Sequence, residues 1–142
     1  MKKLLSVTLG MAALAIVAAP TAGHAQVADA IQAVNDAVVE LTDAPGLGKR
    51  TTVDVTKRWG PDVTVMDSAT AKLQDALSKA QSGGAPNSAI RQLKLAAEYG
   101  KAREHKEARL SAQGALYYLC QANQNQGPGC DKVPKYGSYV AP

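Results

Sequence analysis

The sequence predicts an all-α fold: a small four-helix bundle of two helical hairpins, with an inserted loop and a C-terminal extended tail. The first observation is that apolar and small residues recur at helical spacing in four segments. The second is that two of these segments, within residues 87–122, are separated only by Gly100 and a charged run, so they must fold back as an antiparallel hairpin. The third is a short internal repeat, which suggests a second hairpin covering the open face of the first.

The first helix is predicted over residues 27–42. Its apolar residues, spaced by four, three, four and three positions, are Val27, Ile31, Val34, Val38 and Leu41. Residues 43–46, Asp-Ala-Pro-Gly, end this helix. Asp36 and Glu40 lie one helical turn apart, and we interpret them as part of a solvated face.

The second helix is predicted to begin at Asp67 or Ser68, either of which can serve as its N-cap. Residues 82–86 break it, and the central hairpin follows with Asn87 or Ser88 as its cap. The predicted stripes of these three helices contain Ala69, Leu73, Ala76 or Leu77, and Ala80; then Ile90, Leu93, Ala96 and Ala97; then Ala108, Leu110, Ala112, Ala115, Leu116 and Leu119.

The internal repeat places an insertion in the first hairpin. Residues 30–37 resemble residues 89–96, and residues 75–77 resemble residues 114–116. The landmarks Ala30 and Ala76 are 46 positions apart and Ala89 and Ala115 only 26, a difference of 20 residues. This excess corresponds to residues 47–62. Alternating Val and Thr residues there, continued at Val63 and Val65, are compatible with two short strands and equally with an irregular excursion.

The insertion also concentrates the side chains that favour binding. They are Lys49, Arg50, Lys57, Arg58 and Trp59, the last being the only Trp in the chain. Arg and aromatic side chains on a loop held by a rigid scaffold are typical of binding hot spots. We therefore predict a binding site for an anionic partner here. In the alternative interpretation, Trp59 only covers the end of the bundle.

The first 25 residues are typical of a secretory signal peptide. A basic start at Lys2 and Lys3 precedes an apolar run to Pro20, and Ala25 supplies the small residue before the cleaved bond. Cleavage would leave a bundle domain at residues 26–122 and a disulfide-tied tail at residues 123–142, with no integral membrane segment. We expect a periplasmic or secreted bacterial protein. Loss of the two lysines lowers the net charge from +4 to +2, so nucleic acid is not an expected partner.

Cys120 and Cys130 are the only cysteines. In an exported chain, two cysteines this close to a helix end favour a disulfide that ties the tail to the last helix. The alternative is a pair of free thiols. The remaining tail, to Pro142, is predicted to be extended and to lie on the bundle.

No catalytic or cofactor-binding constellation is predicted. His105 is the single His that would remain after cleavage, in a charged run, and we interpret it as an exposed surface residue. No Ser–His–Asp triad can be assembled around it, so we expect no enzyme activity and no cofactor. The alternative is haem ligation by Met66 and His105, as in some exported four-helix cytochromes.

Two resemblances support helical hairpins. Residues 95–115 resemble a tetratricopeptide unit at Leu95, Ala96, Tyr99, Lys106, Glu107, Ala108, Ala112 and Ala115. The chain departs from that consensus at Arg103, where a turn Gly is usual, at His105, where Tyr is usual, and in lacking a closing Pro. Such arrays need about three units to be stable, so this resemblance implies the hairpin geometry and not a peptide-binding array.

The second resemblance is to small periplasmic metal-binding bundle proteins built from repeated hairpins. It is carried by Ala89, Ile90, Leu93, Gly100, Ala112, Ala115 and Leu116. That family binds metal through many His residues, which this chain lacks, so only its layout carries over. The sequence therefore predicts an exported, non-catalytic binding or interaction protein whose partner is an unknown protein or an anionic envelope component. The alternative is a small periplasmic carrier or sensor of metal or haem.

Overall fold

A computed structural model describes residues 22–43 and 63–133, and the predicted all-α bundle is confirmed there. The four helices are α1 (Ala22–Asp43), α2 (Val63–Ser82), α3 (Asn87–Lys101) and α4 (His105–Ala122). Each helix packs against the next, and α4 packs against α1, so the four form a closed ring around one core. None of the described helices is long and apolar enough to cross a membrane.

The predicted apolar stripes form most of the core, and small residues such as Ala30, Ala37 and Ala89 add to it. Its largest fully buried side chains include Ile31, Leu41, Leu73, Leu93 and Leu116. The prediction for Leu110 is wrong, because this side chain is 39% exposed. It lies two positions from Ala108 and from Ala112, and each step of two residues rotates a helix position by about 200°, away from the core.

The N-terminal ends of α1 and α2 lie earlier in the chain than predicted. α1 begins at Ala22, so it continues through the predicted signal-peptide cleavage bond. α2 begins at Val63, so Val63 and Val65 are helical and not strand residues, and Asp67 and Ser68 are not N-caps. The β-branched residues join the helix because packing of Met66 and Ala69 in the core outweighs their weak preference for strands.

α3 also begins without the predicted side-chain cap. Pro86 occupies the N-cap position, and no side chain there accepts a hydrogen bond from the helix. Gly100 lies within α3 and not in the turn that follows it. From its position in the helix, Gly100 packs against Thr70 of α2. The connection to α4 is therefore only residues 102–104.

The predicted disulfide is present. Cys120 and Cys130 are bonded, with their Cα atoms 5.5 Å apart, and the described segment contains no free cysteine. The loop between them returns over α1, where Gly127 approaches Ile31 and Gly129 approaches Asn35. Residues 44–62, 134–142 and 1–21 lie outside the described residues, together with the predictions made for them: the inserted loop, the extended end of the tail and most of the signal peptide.

Burial in the two hairpins follows the predicted repeat. Ala30, Val34 and Ala37 are fully buried in α1, and the matching Ala89, Leu93 and Ala96 are fully buried in α3. Ala76 in α2 and Ala115 in α4 are likewise fully buried. The matched positions therefore face the core with the same helical register, as two related hairpins require.

Candidate functional site at one end of the bundle

At one end of the bundle, the C-terminal ends of α1 and α3 lie beside the N-terminal ends of α2 and α4. The predicted binding loop is attached at this end. α1 ends at Asp43 and α2 begins at Val63, so residues 44–62 must leave and re-enter the bundle at this end. The turn between α3 and α4 lies at the same end. His105 of α4 contacts Leu41 near the end of α1, and Arg103 in the turn contacts Asp67 in the second turn of α2.

The predicted binding residues Lys49, Arg50, Lys57, Arg58 and Trp59 all lie outside the described residues. The topology shows where the segment that carries these residues is attached to the bundle. The chain that carries them is anchored at both of its ends beside the turn that joins α3 to α4, so we refer to residues 102–106 and the two flanking helix ends (Asp43 and Val63) as the loop end of the bundle.

Arg103 has an unusual backbone conformation at the loop end. Its φ is +61°, in the left-handed region. The Arg103 N–H donates to the Gly100 carbonyl, and the Glu104 N–H donates to the Tyr99 carbonyl, which is the hydrogen-bond pattern of a Schellman helix end. Glycine usually occupies this position because a Cβ is disfavoured there, and Gly84 does so at the end of α2.

The Arg103 side chain is 46% exposed and lies 3.4 Å from the Asp67 carboxylate. An exposed ion pair of this kind contributes up to about 1 kcal/mol, which is comparable to the cost of a side chain in the left-handed region. Arg103 is thus no better than neutral for stability at a position that glycine would occupy at lower cost.

His105 is not the exposed surface residue predicted from its charged neighbours. It is half-buried, and its Nε2 lies 2.6 Å from the Leu41 carbonyl oxygen. A carbonyl can only accept, so Nε2 carries the proton and donates it. The last carbonyls of a helix have no partner within that helix, and His105 satisfies one of those of α1. His105 therefore joins the first residue of α4 to the end of α1.

Glu40 also makes more contacts with α2 than a residue on the predicted solvated face would make. Its carboxylate pairs with Lys72 of α2 and accepts a hydrogen bond of 3.2 Å from the Ser68 hydroxyl. Asp36 does stay on the exposed side, where it accepts a hydrogen bond of 2.8 Å from Gln32. Glu40 therefore ties α1 to α2 just below the loop end, and this leaves Lys101, Arg103 and Lys106 as exposed basic residues around the turn.

A shallow groove lies at the opposite end of the bundle. It has a volume of about 380 Å³ and is lined by His24, Ala25, Ala28, Asn123, Gln124 and Gln126. His24 and Ala25 belong to the predicted signal peptide. Cleavage after Ala25 would remove one wall of the groove.

The described residues contain no group of three or more His, Cys, Asp or Glu side chains arranged to hold a metal ion. Met66 is buried in the core, and the Nε2 of His105 donates a hydrogen bond to the Leu41 carbonyl, which leaves Nδ1 as the unprotonated ring nitrogen. Comparison with family profiles, with curated proteins and with solved structures found no match for this chain.

Arg103 is the residue at this end that the sequence prediction did not select. The sequence contained one signal for this residue: Arg103 occupies a turn position at which the tetratricopeptide consensus usually has Gly. In the structure this departure is a property of the turn, because Arg103 adopts the left-handed conformation that glycine usually adopts there.

Proposed function

We propose that this is an exported, non-catalytic binding protein, and that its binding surface for an anionic partner is the loop end of the bundle. The observation that supports the proposal most is the topology. Both ends of the basic segment 44–62 are anchored beside the α3–α4 turn, where Arg103 stands exposed in a conformation that favours glycine. Side chains held in unfavourable backbone conformations are common at binding sites.

The chemistry of this end favours anions. Lys49, Arg50, Lys57 and Arg58 are carried by the inserted segment, and Arg103 stands at the turn. Guanidinium groups recognise carboxylates and phosphates through paired hydrogen bonds, and Trp59 adds a flat apolar surface. Partners that fit are an acidic protein face, a phosphorylated headgroup or a cell-wall polymer.

The proposal can be tested with the mature protein on a phosphate-bearing matrix eluted by salt. Neutralising Lys49, Arg50, Lys57 and Arg58 to Gln should lower the salt concentration needed for elution. A matched control removes the same charge elsewhere, at the Gln variants of Lys79, Arg91, Lys94 and Lys132. Equal loss of retention in both variants would mean that net charge alone causes binding, and it would contradict the proposed site.

The variant Arg103→Gly provides a second test of the proposed binding surface. It should weaken retention while the thermal midpoint stays unchanged or rises, because glycine relieves about 1 kcal/mol of backbone cost and the lost ion pair is exposed.

Replacing residues 47–62 by a short Gly-containing turn should abolish binding with little change in helical circular dichroism. Unfolding of that shortened protein would instead make the segment structural.

The alternative function, a carrier or sensor of metal or haem, has a direct test. The absorption spectrum and the metal content of purified mature protein should show neither haem nor a stoichiometric metal ion. Either finding would replace the proposal made here.

A further inference from the structure

Cleavage after Ala25 would give the mature chain a reactive first residue, Gln26. The amide carbon of a glutamine side chain lies within reach of its own α-nitrogen, and the two atoms can close a five-membered ring. Groups held this close on one residue react far more readily than separate molecules do. In the uncleaved chain the same nitrogen belongs to a peptide bond and is not a nucleophile. Processing of the chain would therefore make this reaction possible.

The structure places Gln26 at the edge of the packed part of α1. Val27 is 7% exposed and is the first buried residue among the described residues of this helix, whereas Gln26 is half-buried. A Cβ on Gly83 in the turn between α2 and α3 would lie 3.0 Å from the Val27 Cγ2 atom, so Val27 packs closely on that turn. The core therefore holds α1 from Val27 onward and does not enclose Gln26.

The helix would not hold the α-nitrogen of Gln26 after cleavage. Each N–H of an α-helix donates to the carbonyl four residues earlier, which for Gln26 belongs to residue 22. Cleavage removes that acceptor, and the first N–H groups of a helix have no partner within it. The Gln26 carbonyl is not part of the ring and stays available to the N–H of residue 30. Ring closure therefore costs the mature helix no hydrogen bond.

The shape of the ring also suits the start of a helix. Its atoms are N, Cα, Cβ, Cγ and Cδ, the same positions that form the proline ring, and proline is favoured at the first position of helices. The neighbouring turn leaves room for it at Gly83. A Cβ placed there would lie 3.1 Å from the Gln26 Cβ, so the turn approaches Gln26 with backbone alone.

The charge at this end of α1 favours the ring over the free amine. The N-terminus of a helix carries a partial positive charge, so an α-ammonium group is unfavourable there. Ring closure removes that charge, as N-terminal acetylation does. Asp29 lies one helical turn further on and is exposed, and its carboxylate is favourable near a helix N-terminus. An exposed pair of Asp29 with the ammonium would contribute little, so its loss does not offset the gain.

We propose that Gln26 of the exported chain is a modification site that is converted to pyroglutamate. The unprotonated α-nitrogen attacks the side-chain Cδ, the new N–Cδ bond forms, and the Cδ–Nε2 bond breaks. Nε2 leaves as ammonia with the proton that the α-nitrogen gives up, so no oxidant or other reactant is consumed. The product has no α-amine and resists aminopeptidases that require one. The modification depends on the cleavage and export in the proposed function, but not on anion binding.

The test is the mass of the mature protein purified from the cell envelope and reduced. The expected mass is that of residues 26–142 less one molecule of ammonia, and the loss should lie in the peptide that begins at residue 26. A reagent for α-amines should not label this end. Pyroglutamyl aminopeptidase should remove a single residue from the unfolded protein and expose Val27 as the new N-terminus.

The matched control is Gln26→Asn, whose side chain is one carbon shorter and would need a strained four-membered ring. This variant should keep its ammonia and a reactive α-amine. It should also be retained on the phosphate-bearing matrix as the parent is, so a failure of anion binding is seen separately.

Three results would overturn the modification. The first is a parent chain that starts at Gln26 and keeps its full mass and reactive α-amine after prolonged incubation at neutral pH. The second is loss of ammonia from the first peptide of the Gln26→Asn variant as well, which would exclude ring closure as the cause. The third is a parent chain that starts at any other residue, and this result would also contradict the predicted cleavage.

Discussion

Gly100 shows at the scale of one residue how α2 and α3 come close. It is buried, and a Cβ placed on it would overlap the hydroxyl of Thr70 and lie 3.2 Å from the Thr70 Cβ. Thr70 cannot easily move aside, because it is β-branched and its hydroxyl donates a hydrogen bond of 2.6 Å to the Met66 carbonyl. The contact therefore depends on the missing side chain.

We predict that Gly100→Ala destabilises the protein by about 1–3 kcal/mol, the usual cost of overpacking a core, although Ala is the better helix former. Urea unfolding of the mature protein measures this. Thr70→Ala removes the obstructing hydroxyl and methyl, so the double variant should recover stability relative to Gly100→Ala alone. A stabilising effect of Gly100→Ala by itself would show that the two helices are not in close contact.

The residue scale also shows what periodicity predicts and what it misses. The stripe of α1 from Val27 to Leu41 was predicted correctly, because burial of apolar side chains is the main force that places a helix. The hydrogen bond of His105 to Leu41 joins residues 64 positions apart, and no local pattern contains it. Gly100 was predicted as a turn marker because glycine is ambiguous in sequence: it ends helices and also permits close packing.

At the scale of elements, the predicted helix ends failed where tertiary contacts replace local capping. Ser68 was a reasonable N-cap, but its hydroxyl donates to Glu40 of α1 from inside α2. Asp67, the other candidate, faces Arg103 of the α3–α4 turn. Both side chains bind partners outside α2. The sequence alone cannot distinguish a residue with such a partner from an N-cap.

The loop between α4 and Val133 is held as one element by the disulfide. The Cys120–Cys130 bond closes a loop in which Gly127 and Gly129 have positive φ and approach α1. We predict that replacing both cysteines by Ser lowers the free energy of unfolding by about 2–3 kcal/mol, as expected for so short a loop. Urea unfolding of the variant and the parent measures the difference.

Thiol titration of the unfolded, unreduced parent provides the control and should find no free thiol. Equal stability of the variant and the parent would show that the loop packs on α1 without the covalent tie. Two reactive thiols in the parent would show that the bond does not form in the exported protein.

At the scale of the whole molecule, the fold was more predictable than the site. The four-helix ring follows from the apolar spacing and from the short connections on either side of α3, which are local properties of the sequence. The candidate site depends on which chain ends meet. The anchoring of residues 44–62 beside Arg103 follows only from the antiparallel order of α1 to α4, and the left-handed backbone of Arg103 has no reliable signal in its residue type.

Processing of the chain is the last prediction, and it bears on the whole molecule. The bond between Ala25 and Gln26 lies inside α1, and a Cβ on Gly83 would come within 2.9 Å of the Gly23 carbonyl oxygen. A bond in a packed helix is poorly presented for cleavage, so we expect removal of residues 1–25 before the bundle folds. The core should survive it, because the buried stripe of α1 begins at Val27. Mass spectrometry of protein from the cell envelope should show a chain that starts at Gln26, with the thermal midpoint of a chain expressed from Gln26. An envelope form that begins at Met1 would contradict both the signal peptide and the exported function built on it.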